Sequence, residues 1–195
     1  MWFGRRQKVQ GFGAVVLAMS FALAGCGTSA KQSAEGALPP ADSMPTELKT
    51  VTNKPSSTLP PKKCKSTADR PSGWCDSAVA GSHVAYGNTD RSKRAVFDAV
   101  AYHNDTAAKK AFRKWKTFVE GHASKYRVLN GDTFGSDSVA FVGTTGASRD
   151  DQGAVVLAGS FVGTVDYLGS GKQDAVDATL SKMAKTFAER MQKQG

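Results

Sequence analysis

Apolar positions along the chain recur in two rhythms, one from residue 83 onward and one confined to the N-terminus. "HVAYG" (His83 to Gly87) and "RAVFDAVAYHN" (94–104) are rich in Val, Phe and Tyr and read as strands. The spacing then changes to threes and fours through Ala108, Ala111, Phe112, Trp115, Phe118 and Val119, the stripe of an amphipathic helix. Asn104 and Asp105 stand where side-chain oxygens cap its free N–H groups, and Gly121 marks its end. "YRVLN", a turn at Gly131-Asp132, "SVAFVG", "AVVLAG" and "FVGTVDYLG" follow as strands. Between the last two, Gly159-Ser160 suits a tight hairpin, because glycine tolerates positive φ. Val176, Leu180, Met183, Phe187 and Met191 form a second helical stripe at the C-terminus.

Hairpin-length connections predict an antiparallel sheet, and the element order predicts an α+β domain. One-faced helices bury their stripes on a sheet. The expectation is that both amphipathic helices pack on one face and leave the other free for a ligand.

The N-terminal rhythm is different. Arg5, Arg6 and Lys8 precede fifteen uncharged residues, Gly11 to Gly25, and small residues then lead to Cys26. Basic, apolar, small is the order of a secretory signal peptide, and the run is short for a spanning helix. The Arg pair is followed by Gln7 and Lys8, which favours the general secretory route over twin-arginine export. Residues 27–63 hold six of the seven prolines and no aromatic residue. With so little apolar surface, 26–63 is expected to be a disordered Pro/Ser/Thr-rich tether, followed by a single domain over 64–195.

"LAGC" (Leu23 to Cys26) resembles the lipobox of bacterial lipoproteins. That resemblance implies cleavage before Cys26 and transfer of a diacylglyceryl group to its sulfur, giving a palmitate-type anchor on the extracytoplasmic face of the membrane. Two acyl chains hold a protein stably where one is marginal. With Cys26 spent, Cys64 and Cys75 remain, and outside the cytoplasm they are expected to join as a disulfide.

The chain carries a net charge of +9; without its first 25 residues, which hold three basic residues and no acidic one, +6 remains. For an exported protein the partners are lipid headgroups, anionic wall polymer or an envelope protein, not nucleic acid. Lys109, Lys110, Arg113, Lys114 and Lys116 flank the stripe of the first helix and form a candidate anionic-surface patch.

Catalytic signatures do not fit. "AGSFVG" is G-S-x-x-G, not the G-x-S-x-G elbow, and "GSGKQD" lacks the earlier glycine and the Ser or Thr of a phosphate loop. His83, His103 and His122 are scattered without metal spacing, and Asp150-Asp151 lacks the alternating oxygens of a calcium loop. No catalytic residue, metal ligand or cofactor is assigned.

"AVFDAVAYHNDTAAKKAFRKW", "SVAFVG", "GAVVLAGSFVGTVDYLG" and the closing amphipathic helix are similar to small secreted lipoproteins of actinomycetes. More distantly they resemble the extracellular sensor domain of mycobacterial serine/threonine kinases of the PknH type. The latter resemblance implies an antiparallel sheet with helices, stapled by disulfides, that binds a ligand without catalysis. Here no kinase domain is present, and one spare cysteine pair stands where the sensors usually carry more. The reading is a membrane-anchored envelope lipoprotein with a ligand-, wall- or partner-binding domain; the alternative is an envelope hydrolase with an unrecognised site.

Overall fold

The computed structural model describes residues 33–58, 70–90, 92–143, 151–169 and 174–195. Seven strands form one sheet: β1 (Thr50–Thr58), β2 (Ala78–Gly87), β3 (Arg94–Tyr102), β4 (Arg127–Leu129), β5 (Asp137–Val142), β6 (Gln152–Ala158) and β7 (Phe161–Leu168). Their spatial order is β1-β2-β3-β7-β6-β5-β4 and every pair is antiparallel. Helix α1 (Asp105–Gly121) connects β3 to β4, and α2 (Ala178–Gln194) closes the chain. The α+β antiparallel architecture is the one the sequence predicts.

The placement of the helices is not. They cover opposite faces of the sheet. Leu180, Met183, Phe187 and Met191 of α2 pack with Phe97, Ala154, Val156 and Val165. Phe112, Trp115, Phe118 and Val119 of α1 pack with Phe141, Val155, Leu157 and Val162. The physical reason lies in β6, whose seven residues are all buried. Ala154 and Val156 point to one side, Val155 and Leu157 to the other. A strand that is apolar on both faces needs cover on both.

A second expectation fails over residues 33–58, which are ordered and belong to the domain. Ala34, Ala37, Leu38, Met44 and Leu48 are buried in the α2-side core. Arg190 donates to the carbonyls of Leu38 at 2.8 Å and Gly36 at 2.7 Å, and the Tyr86 hydroxyl donates to that of Pro39. Two of the prolines read as disorder instead start turns. Pro40 and Pro45 precede the 3₁₀ segments Ala41–Ser43 and Thr46–Leu48, where a fixed φ pre-organises entry. Cys26 and the rest of 1–32, and residues 59–69 with Cys64, lie outside the described residues.

Other expectations hold. Asn104 caps α1, its side chain accepting from the Ala107 N–H at 2.9 Å. Gly159 takes φ +55° in the β6–β7 turn. Leu180 and Phe187 are fully buried. Gly163 lies beneath α2, where a Cβ would collide with the Phe187 ring. That close approach sets Phe187 edge-on against Phe97, with centroids 5.4 Å apart.

Candidate site on the open half of the sheet

The two faces are covered unequally. On the α2 side, the helix and the segment 33–48 together bury residues from β2 through β6. On the other side α1 lies over β3, β4, β6 and β7, and its core draws nothing from β1. Strand alternation turns His83 and Ala85 of β2, and Asp98 and Val96 of β3, toward this α1 side. The result is a polar strip beside α1, with His83, Asp98 and Thr164 half-buried.

Its centre is a cross-strand row. His83 faces Asp98 across β2–β3, and Asp98 faces Thr164 across β3–β7. The His83 ring lies 3.0 Å from the Asp98 carboxylate through Nδ1. On the ring's other edge the Asn53 amide of β1 approaches Nε2 at 3.4 Å. With Asn53 Nδ2 as donor, the complementary tautomer has Nε2 accept and Nδ1–H donate to Asp98. Arg70 reaches the second Asp98 oxygen at 3.8 Å and lies 4.8 Å from the centroid of the Trp74 ring. Such a cation on an indole face gains electrostatic attraction.

A pocket of about 90 Å³ opens beside this row, between the 70–77 loop and α1. Arg70, His83, Asp98 and Thr164 supply its polar lining, Trp74 and Trp115 its walls, and Val100 and Val162 its apolar floor. It has room for roughly half a dozen waters. The 70–77 wall is pinned at two points. Tyr102 donates to the Trp74 carbonyl, and Lys114 holds the Gly73 carbonyl and Asp76, each at 2.8 Å. Burial, with the Asp76 charge nearby, pushes the Tyr102 phenol well above its ordinary range. Cys75 is buried in this same loop.

The basic residues picked from the sequence do not form one patch. Lys109, Lys110 and Arg113 are exposed on the outer face of α1, and Lys116 is half-buried. Lys114 instead turns inward to the pocket loop. Asp151, expected in a solvated loop, is buried, and its carbonyl accepts from the Gly143 N–H at 2.7 Å. His122 sits past the end of α1, 2.6 Å from the Phe118 carbonyl, and His103 is exposed.

His83 and Asp98 were legible only through register. Both are equidistant from the "NTDRSK" turn, so placing that turn's centre would have paired them. No helix among the described residues is long and apolar enough to cross a membrane. No protein-family model and no curated protein matches the chain. Among solved structures, the extracellular domain of PknH from Mycobacterium tuberculosis is similar in fold, with a TM-score of 0.48 and 15% identity over 74% of this chain and 86% of that one. The distant resemblance to that sensor domain is therefore found in the structure comparison as well.

Proposed function

We propose that this protein is a lipid-anchored envelope lipoprotein whose domain binds a ligand without transforming it, at the pocket beside His83 and Asp98. The observation that carries the reading is the engagement of His83 at both ring nitrogens. A histidine poised as a general base needs one nitrogen within reach of the proton it abstracts. Here Asn53 Nδ2 lies 3.4 Å from Nε2 and an Asp98 oxygen 3.0 Å from Nδ1, so both nitrogens have a neighbour. The imidazole is a fixed surface of donors and acceptors, and two indoles beside it offer apolar contact. A few placed polar groups among aromatic walls are what recognition sites use. This favours binding over the hydrolase alternative.

Location comes from the signal-like leader and "LAGC". Cys26 would carry the diacylglyceryl group, and the domain would work on the extracytoplasmic face against wall polymer or an envelope protein. Cys64 and Cys75 would form a disulfide that staples the loop bearing Trp74, adding about 2–3 kcal/mol by restricting the unfolded chain.

Three measurements test this. Mass spectrometry of the membrane-extracted chain should find Cys26 acylated, and an unmodified N-terminal cysteine refutes the anchor. Non-reducing peptide mapping should recover one Cys64–Cys75 peptide. Titration of solubilised wall fractions against the fluorescence of Trp74 and Trp115 should saturate, and His83→Ala should weaken the response. Turnover of the bound material by the wild type but not by His83→Ala would establish the hydrolase instead.

A further inference from the structure

A second depression lies farther along the same strands. Asn53, whose amide is 3.4 Å from the His83 ring, lines a wide groove of about 750 Å³ at the end of the sheet that carries the β2–β3 turn. Thr52, Asn53, Asn88, Thr89, Lys93 and Arg94 are among its lining residues, and among the described residues no carboxylate lines it. Its shape depends on Gly87, where a Cβ would crowd the Thr52 methyl and the Lys93 carbonyl, each at 3.1 Å. The turn beneath it is stapled by its own side chains. Asn88 donates to Ser92 Oγ at 2.9 Å and accepts from the Lys93 N–H at 3.0 Å, while Asp90 accepts from the Ser92 N–H at 2.9 Å. The two cations therefore stand on a pre-formed base. Lys93 has Glu47 at 3.5 Å, whereas Arg94 is exposed with no carboxylate partner among the described residues.

From this geometry we infer that the pocket and the groove form one continuous site for an acidic glycan, a sugar chain bearing carboxylates. The inference deepens the proposed binding function and rests on it. Indole walls suit the C–H face of a sugar ring, and the Asp98–His83 row with Thr164 suits its hydroxyls. Threonine and asparagine side chains extend that hydrogen bonding along the groove. Arg94 offers a planar fork that matches a carboxylate bidentately.

The position of the groove agrees. Gly36 lies against Gln194, and Gly195 lies against Ser160 of the β6–β7 turn, so the described chain enters near the opposite end of the sheet. Only residues 27–32 separate Cys26 from Ser33, and seven Cα steps span about 25 Å at most. A lipid at Cys26 would hold that end near the bilayer. The groove would then face outward, the length of a ten-residue strand or roughly 33 Å away.

The test uses the full mature chain in detergent and two probes, tetragalacturonate and the neutral maltotetraose. The wild type should bind the acidic chain saturably and at least tenfold more tightly than the neutral one. Arg94→Gln should weaken acidic binding about tenfold and His83→Ala several-fold, while Lys109→Gln with Lys110→Gln on α1 should leave it unchanged. Melting curves of each variant check folding, and Arg94 is exposed at a strand end where Gln is tolerated. No wild-type binding, or equal loss in the Arg94 and the α1 variants, overturns the inference. Loss in His83→Ala without loss in Arg94→Gln leaves the pocket standing and removes the acidic chain. Binding that neither substitution weakens removes both.

Discussion

The two faces of the sheet are built from the same strands and end up with different work. On the α2 side cover is complete, because the helix is joined by the segment 33–48, whose Leu38, Met44 and Leu48 lie over what α2 leaves bare. On the α1 side the helix lies over β3, β4, β6 and β7, and the 70–77 loop joins it at the pocket. The residues left there are those that can stand water: His83, Asp98, Thr164 and Asn53. Covering decides chemistry: a closed face is core, and a face covered in part keeps a polar margin where a ligand can compete with solvent.

The largest expected effect breaks the closed face. Phe187→Ala removes a fully buried ring that packs on Phe97 and Gly163. Such truncations cost about 3–5 kcal/mol, a large part of the roughly 5–15 kcal/mol that holds a domain. Thermal unfolding should show a clear fall in melting temperature. Lys185→Ala on the outer face of the same helix removes only an exposed pair with Asp132 at 2.8 Å and should barely move it. Equal effects would mean that α2 does not dock through Phe187.

Next comes the segment that completes that face. Leu48 is fully buried, while Val51 three residues later on β1 is 42% exposed. Leu48→Ala should cost about 2–5 kcal/mol in denaturant unfolding, and Val51→Ala within about 0.5 kcal/mol. If Leu48→Ala is as mild as Val51→Ala, residues 33–48 rest on the domain without closing it.

That contrast also explains what the sequence could and could not reveal. β3, α1, β5, β6, β7 and α2 were legible because each carries enough apolar residues to show its period. β1 was not: Thr50 to Ser56 are exposed, so "TVTNKPSST" has no alternation to read, and its pairing with β2 alone makes it a strand. The segment before it buries mainly alanine and single large residues between prolines, a composition shared with disordered linkers. The opposite-face packing was visible in principle, since "GAVVLA" is apolar at every position. The site was harder, because His83 and Asp98 are fifteen residues apart and meet only once the register of β2 and β3 is fixed.

The third prediction concerns the open half. Truncating the polar row on this face should hardly matter to folding, because half-exposed polar groups exchange protein partners for water. His83→Ala and Asp98→Ala should each cost about 1 kcal/mol or less, the net worth of an ordinary hydrogen bond. Their effect should fall on ligand binding. A loss as large as that of Phe187→Ala would make the row a structural staple and not a site.

The smallest effect separates the faces by pH. Tyr102 closes the α1 side by donating to the Trp74 carbonyl, and burial raises its phenol above the ordinary value of 10.0. Near pH 10 the unfolded chain releases this proton while the folded chain keeps it, so the unfolded state binds fewer protons. Stability must then fall as pH rises above about 10, and below that it is unaffected. Tyr86 and Tyr167 on the α2 side are raised by burial in the same direction, so they contribute to the same alkaline slope. Tyr102→Phe should therefore flatten the slope in part while lowering stability at neutral pH, where the hydrogen bond to the pocket loop is lost. Urea unfolding at pH 8 and at pH 10.5 measures both. An unchanged slope in Tyr102→Phe would mean that this phenol is open to water, and with it the wall of the pocket that it pins.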